Sequence, residues 1–504
     1  MANHLHDLIA ASAGKARDKV CIDADDGRAF PYADLLGASA RLAGALRHLG
    51  VGVGDRVLAQ ADKSPEMIFL YLACLRAGAL FLPLNPAYTS AELAYFVADA
   101  SPALLVCAPS RQAEFRRLAA AHAGRVETLG GDGDGSLMAV AATMPATFAD
   151  APRGPDDLAA ILYTSGTTGR SKGAMMSHGN LASNALTLRD LWRFEASDVL
   201  IHALPVYHTH GLFVATNVVL LAGASMLFQR KFEADAVLRA MPRATTLMGV
   251  PTFYTRLVDH PGLDREAARG MRLFISGSAP LLAATHARFR EMTGHAILER
   301  YGMTETNMIT SNPYDGERVA GTVGFPLPGV QLRIAAAETG APLAQGETGV
   351  IEITGPNVFK GYWNMPEKTT QEFRPDGWFI TGDLGRIDER AYVHIVGRAR
   401  DLVISGGFNV YPKEVEAELD ALPGVVESAV FGVPHADFGE AVTAVVVGDS
   451  ASLDEGEMLR ALGMRLARFK LPKRIVVVPD LPRNAMGKVQ KNLLRETYMS
   501  LYVD

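Results

Sequence analysis

The sequence predicts an α/β protein, with a large N-terminal domain of wound β-α-β sheets and a small α+β C-terminal domain. Three observations carry that reading. At 504 residues the chain is longer than one simple core accommodates. Apolar runs of strand length alternate with helix-length amphipathic stretches through most of it. Beyond residue 396 the alternation gives way to a helix and closely spaced strands. Hydrophobic residues make up 48% and charged residues 21%, the range of ordinary globular proteins. A net charge of −6 gives no electrostatic reason to expect a nucleic acid as partner.

The elements follow in order. "VLAQA" (57–61) is a strand, "EMIFLYLACLRAG" (66–78) a helix and "ALFLPL" (79–84) a strand. "SAELAYFVADA" (90–100) is again a helix and "ALLVC" (103–107) a strand. Such alternation implies parallel strands covered by helices on both faces. A second series runs from "LAAILY" (158–163) through "VLIHALP", "SMLFQ", "TTLMGVP" and "LFISGS" to "AILERYG" (296–302). Most strands of this series end in a polar or glycine-rich tip: "YTSGTTG", "LPVYHTHG", "MGVPTFYTR", "ISGSAP" and "ERYGMTET". Ligands of open α/β sheets sit outside the carboxyl ends of the strands, so five such tips on one sheet edge predict one site. The divisions expected are 1–396, a hinge at "GRARD" (397–401) and 402–504, the last containing "PKEVEAELDAL", "VVESAVFGV", "AVTAVVVG" and "RIVVVP".

Cys21, Cys74 and Cys107 are an odd number without metal-type spacing, which fits buried small hydrophobes in a reducing compartment. The first twenty residues show no apolar core behind a basic start, and no uncharged apolar stretch is long enough to span a bilayer. A cytoplasmic enzyme without a membrane partner is the expectation.

"YTSGTTGRSKG" (163–173) gathers glycines, hydroxyls and two cations directly after a buried strand. Glycines let backbone amides approach an anion, and Thr, Ser and Lys172 add donors and charge, so the loop is suited to phosphate. It lacks the spacing of a Walker loop. "YGMTET" (301–306) supplies Thr304 and Glu305. A carboxylate facing a polyphosphate is the natural holder of Mg²⁺, whose other ligands are phosphate oxygens and water; a helix cap is the plainer alternative. "TGD" (381–383) and "GR" (397–398) offer Asp383 and Arg398, and a carboxylate accepting two hydroxyls is a natural ribose clamp, although TGD alone is more often a turn than a site. "PRNAMGKVQK" (482–491) places Lys488 after a glycine.

Taken together and in this order, these motifs and "GRARDLVISGGFNVYP" (397–412) resemble the adenylate-forming superfamily of acyl-CoA synthetases, adenylation domains and luciferases. Within it, "MGVPTFYTRL", "LFISGSAPL", "ERYGMTETNM" and "GVPHADFGEAVTAVVV" look most like the malonate-activating ligases. The resemblance implies that a carboxylate attacks the α-phosphate of ATP, and that the thiol of coenzyme A then displaces AMP from the acyl-adenylate. It implies that Thr164, Ser165, Gly166, Thr167, Thr168, Gly169 and Lys172 surround the β- and γ-phosphates. Thr304 would meet the α-phosphate, and Glu305 the Mg²⁺. Gly277, Ser278, Ala279, Glu299, Arg300, Tyr301, Gly302 and Met303 would line the nucleotide pocket, with Asp383 and Arg398 at the ribose. Lys488 would bridge the α-phosphate and the attacking carboxylate, which makes it a candidate target for a lysine acetyltransferase, since acetylation removes its charge. A mobile C-terminal domain would turn about Arg400 and bring Gly406 and Gly407 to the pantetheine of coenzyme A.

For the acid, Arg256 in "GVPTFYTRL", Ser278, and His208 with Thr209 and His210 make a polar set where a fatty acyl pocket would be apolar. An arginine grips a second carboxylate in a bidentate fork. The resemblance implies that Arg256 and Ser278 bind the distal carboxylate of malonate, with His208 as a wall or gate and Met303 beside the methyl of methylmalonate. Loss of a buried arginine's partner costs roughly 2–5 kcal/mol, which would disfavour acetate and propionate. A ligase for another short-chain acid and a non-catalytic adenylate-binding regulator remain as alternatives; the second would tolerate loss of Glu305, Asp383 or Lys488, and all three are present.

Overall fold

A computed structural model describes residues 3–120, 124–164, 171–405, 408–435, 438–449, 453–484 and 487–502. The two β-α-β series become two mixed sheets in one unit, Met1–Gln331 with Thr354–Phe379. The six-stranded sheet has the order Arg125–Thr128, Leu104–Cys107, Arg56–Gln60, Leu80–Pro83, Leu158–Thr164, Lys172–Ser177. Its first five strands are parallel and the last returns antiparallel. The helix Pro65–Ala77 is buried at every position, as expected of a helix apolar on all sides. Proline at its first position and Gly78 just past its end, at φ 69°, set its two limits.

The nine-stranded sheet has the order Phe325–Pro326, Asn307–Ser311, Leu298–Met303, Leu273–Ser276, Thr246–Gly249, Val199–His202, Ser225–Phe228, Val20–Ala24, Ala29–Pro31. The run from Leu298–Met303 to Val20–Ala24 is parallel, with antiparallel strands at both margins. One expectation fails here. The strand leading into "YTSGTTG" belongs to the six-stranded sheet, so only four of the five polar tips share an edge. An apolar run announces a strand but not its neighbour, and Leu158–Thr164 pairs with Leu80–Pro83 of the first series rather than with the second.

The second unit is Leu332–Ile353 with Ile380–Asp504. It holds a four-stranded sheet, Gln331–Ala335, Gly349–Thr354, Phe379–Ile387 and Val393–Arg398. Its other sheet has the order Phe408–Val410, Val403–Ser405, Gly439–Gly448, Val425–His435, with Arg474–Val478 parallel to Gly439–Gly448. The helices Pro412–Asp420 and Glu455–Gly463 contribute Val415, Leu419, Met458 and Leu462 to one core with Val430, Val442, Ala444 and Val446. Packing thus groups residues on both sides of 397 together. Arg400 is exposed in a short 3₁₀ turn, Ala399–Asp401, between two strands.

Candidate active site

Four neighbouring strand ends of the nine-stranded sheet assemble the polar tips foreseen from the sequence: those of Val199–His202, Thr246–Gly249, Leu273–Ser276 and Leu298–Met303. The deepest charge there is Arg300, only 3% exposed, with neither Nε nor Nη2 hydrogen-bonded. Its guanidinium lies over Gly277, where a Cβ would come within 2.4 Å of its Cζ and force the guanidinium to move. Burial pushes the guanidinium down to about 9, with Tyr254 pulling the other way, and it stays charged at neutral pH. A buried cation without a partner is costly, and the cost is recovered only when an anion arrives.

The surrounding atoms repeat the pattern. His210 Nε2, Thr209 Oγ1 and Ser276 Oγ are buried without hydrogen-bond partners. His210 is held neutral, well below the usual imidazole range, by burial first and then by Arg300, His208 and His202. Its Nδ1 shares a 3.4 Å hydrogen bond with Ser278 Oγ, and its backbone N–H donates to His208 Nδ1 at 3.3 Å. Ser278 has φ 75°, a left-handed conformation that L-residues adopt at a cost and that recurs at functional sites. His208, Ser278, Ala279, Tyr301, Gly302, Met303 and Thr304 are half-buried around this cluster.

The histidine tip is positioned from beneath. His210–Thr216 forms a π-helical turn, a feature common at functional sites. Gly211 opens it because a Cβ there would strike the carbonyl of Pro205. Lys63, half-buried, donates to the carbonyls of Gln229 and His202 at 2.6 and 2.8 Å, and its third N–H faces His202 Nδ1 at 3.2 Å. His202 Nε2 then donates to the Gly211 carbonyl at 2.9 Å. Burial and the adjacent ammonium keep His202 neutral, down at about 3.

Thr304 and Glu305 sit in the turn of a hairpin between Leu298–Met303 and Asn307–Ser311, not at a helix cap. Glu305 is buried, and its Oε1 accepts from the Tyr362 hydroxyl at 2.9 Å. Glu299 Oε1 accepts from the backbone of Gly321 at 3.1 Å. At the two ends of the glycine- and hydroxyl-rich segment 164–172, Thr164 and Lys172 lie across from each other on paired strands. Ser165, Gly166, Thr167, Thr168 and Gly169 fall outside the described residues, as do Gly406 and Gly407.

Arg256 departs from expectation. It is exposed, on the helix Pro251–Val258, whose buried side is Tyr254, Leu257 and Val258. It shares the more open face with Thr252 and Phe253, at i−4 and i−3. Arg256 is turned outward because the hydrophobic face of that short helix takes Tyr254 inward, and the buried guanidinium at this sheet edge is Arg300, which the resemblance had put in the nucleotide pocket.

In the second unit, Asp383 and Arg398 are cross-strand partners, joined by a 2.7 Å ion pair with Asp383 buried. Lys488 lies in a tight loop: its N–H donates to Asn484 Oδ1 at 3.0 Å and its carbonyl accepts from Asn484 N–H at 2.9 Å. Arg483 donates to the Gly487 carbonyl at 2.8 Å and pairs with Glu427.

A model of the AMP-binding enzyme family matches residues 9–363, and a model of that family's C-terminal domain matches residues 414–488. The chain belongs to the AMP-binding enzymes. It is 61% identical to ATP-bound MatB from Rhodopseudomonas palustris, with a TM-score of 0.98 and all of both chains covered. It is 37% identical to a feruloyl-CoA synthase of Amycolatopsis, covering 94% of each, and 34% identical to a malonate–CoA ligase of Arabidopsis thaliana, covering 97% of this chain and 87% of that one. Within this AMP-binding enzyme, sequence reasoning missed Tyr362, whose hydroxyl donates to Glu305, Glu372, whose Oε1 lies 3.3 Å from Lys172 Nζ, and Lys63 with His202 beneath the histidine tip. Tyr362, Glu372 and Lys63 meet partners far away in the chain, and no local motif marks them.

Proposed function

We propose that the chain ligates malonate, and methylmalonate beside it, to coenzyme A through an acyl-adenylate, giving malonyl-CoA, AMP and pyrophosphate. The observation that carries the choice of acid is the orphaned, buried Arg300 among Ser278, His210 and Thr209. A monocarboxylate with an apolar end leaves those donors unmet, while a second carboxylate satisfies them. Arg256 and Ser278 keep their proposed place at the distal carboxylate, with Arg300 added as the standing charge. Arg256, being exposed, contributes once a diacid is present to close upon. The resemblance to the malonate–CoA ligase and to MatB supports the same substrate.

The first step brings one anion to another, so it depends on cations and oriented donors. Lys172 and the loop after Thr164 take the β- and γ-phosphates, Thr304 the α-phosphate, and Asp383 with Arg398 the ribose. Lys488 supplies charge to the α-phosphate and the attacking carboxylate oxygen. Glu305 fits Mg²⁺: its carboxylate is buried and oriented by a phenol. Mg²⁺ is usually held by one or two carboxylates, its other positions going to phosphate oxygens and water. When bound, Mg²⁺ would neutralise charge on the β- and γ-phosphates. The acid needs no general base, since it is ionised at neutral pH, and His208 and the neutral His210 serve as walls and donors. The second step places the thiol of coenzyme A on the acyl carbon, with AMP as leaving group, after rotation about Arg400. Three buried free cysteines suit a cytoplasmic setting.

The test is a thioester assay across acetate, propionate, malonate, methylmalonate, succinate and ferulate, run beside pyrophosphate release. Malonate should lead and methylmalonate follow. If a monocarboxylate is turned over best, the diacid reading is wrong; if no acid releases pyrophosphate, the chain is a nucleotide-binding regulator instead.

A further inference from the structure

Lys172 and Glu305 stand on different sheets, and a third segment joins them. Residues 359–363 lie along the strand Lys172–Ser177: Met175 N–H donates to the Gly361 carbonyl at 3.0 Å, Lys360 N–H to Met175 at 2.8 Å and Trp363 N–H to Gly173 at 2.7 Å. The same segment reaches the hairpin turn, where Phe359 N–H donates to the Glu305 carbonyl at 2.8 Å. Gly361 has φ 112°, and a Cβ there would press on Thr369, so the path depends on glycine.

Tyr362, 3% exposed, stands in the middle. A carboxylate can only accept and an ammonium can only donate, so the two hydrogen bonds of its hydroxyl have fixed directions. The hydroxyl donates to Glu305 Oε1 at 2.9 Å and accepts from Lys172 Nζ at 3.1 Å. The ammonium also lies 4.2 Å from the ring centroid and 3.3 Å from Glu372 Oε1. Burial, Glu305 and Glu372 all push the phenol upward, so it stays neutral through the working pH range.

We infer that Tyr362 is a positioning residue for the nucleotide's phosphates, its hydroxyl setting the spacing between the phosphate-loop cation Lys172 and the metal carboxylate Glu305. Glu372 stands in for phosphate as the anion beside Lys172 before the nucleotide enters. The inference rests on the proposed roles of Lys172 and Glu305.

The experiment uses Tyr362→Phe in the full chain, which removes one oxygen and keeps the packed ring against Phe359. Equilibrium titration with MgATP in the absence of acid should show about tenfold weaker binding, the usual result of losing a hydrogen bond to a charged group. The Mg²⁺ dependence of adenylation should move to higher metal by a similar factor. KM for malonate and coenzyme A should not move, nor should the rate of thioester formation from preformed acyl-adenylate. Unchanged MgATP binding, or equal losses for all three substrates, overturns the inference. Glu305→Gln is measured in parallel: if it leaves the Mg²⁺ dependence intact, the reading of Glu305 falls and the inference with it. If Glu305→Gln shifts that dependence and Tyr362→Phe does not, only the inference falls.

Discussion

The strand-end cluster around Arg300 and the loop around Lys488 are both rich in charge, yet they are built in opposite ways. Arg300, His210 and Thr209 are buried with donors unmet. In the second unit the charges are closed on one another: Arg398 with Asp383, Arg483 with Glu427, and Lys491 with the buried Glu416 at 2.5 Å. An unmet buried donor stores a cost that a ligand relieves, so it confers selectivity. A closed ion pair fixes backbone geometry and confers placement instead. Substitutions in the first region should therefore alter which acid is used, and those in the second should alter how fast one step runs.

The largest effect expected is at Lys488. Lys488→Ala should slow adenylation by ~10²–10³, the usual loss for one preorganised transition-state donor. Thioester formation from preformed adenylate should stay near the parent rate. Separate measurement of the two half-reactions decides this, and equal damage to both would erase the distinction drawn above.

Next comes the arginine pair. Arg300→Gln removes the buried charge, so kcat/KM for malonate should drop by about 2–5 kcal/mol in transition-state terms, with acetate much less affected. Arg256→Ala should cost less, about tenfold in KM for malonate, because its guanidinium is solvated before the acid binds. Should Arg256→Ala prove the more damaging, the diacid is gripped from the open side and the contrast between regions weakens. A related check uses pH. As the medium rises past about 9, Arg300 begins to lose its proton, so KM for malonate should climb there.

The smallest effect concerns stability. Asp420, half-buried beside Glu416 and Glu427 and near Lys413, accepts from Ser428 at 2.7 Å. Burial raises its carboxyl from 3.8 to about 6, against the Ser428 bond and Lys413. A raised folded-state value means stability is fullest below the unfolded value, near 4, and is lost as pH climbs through 6. Asp420→Asn should thus stabilise the second unit at pH 7–8 by roughly 1 kcal/mol, and flatten the pH dependence of Tm between 4 and 7. An unchanged or lower Tm at pH 8 counts against this.

Read alone, the sequence determined the α/β class, the strands it named in the two β-α-β series with the helices at 66–78 and 90–100, and the motifs that mark an AMP-binding enzyme. Those are local: periodicity follows from side chains a few residues apart, and a loop such as 163–173 carries its chemistry in its own composition. Only the tertiary structure decided which strand tips share an edge, that Arg256 faces outward while Arg300 is buried unpaired, and that Tyr362 joins Lys172 to Glu305. Lys172 and Glu305 are separated from Tyr362 by long stretches of chain, and sheet order, set by packing between distant segments, is what brings them to one hydroxyl. No pattern read along the chain encodes that distance.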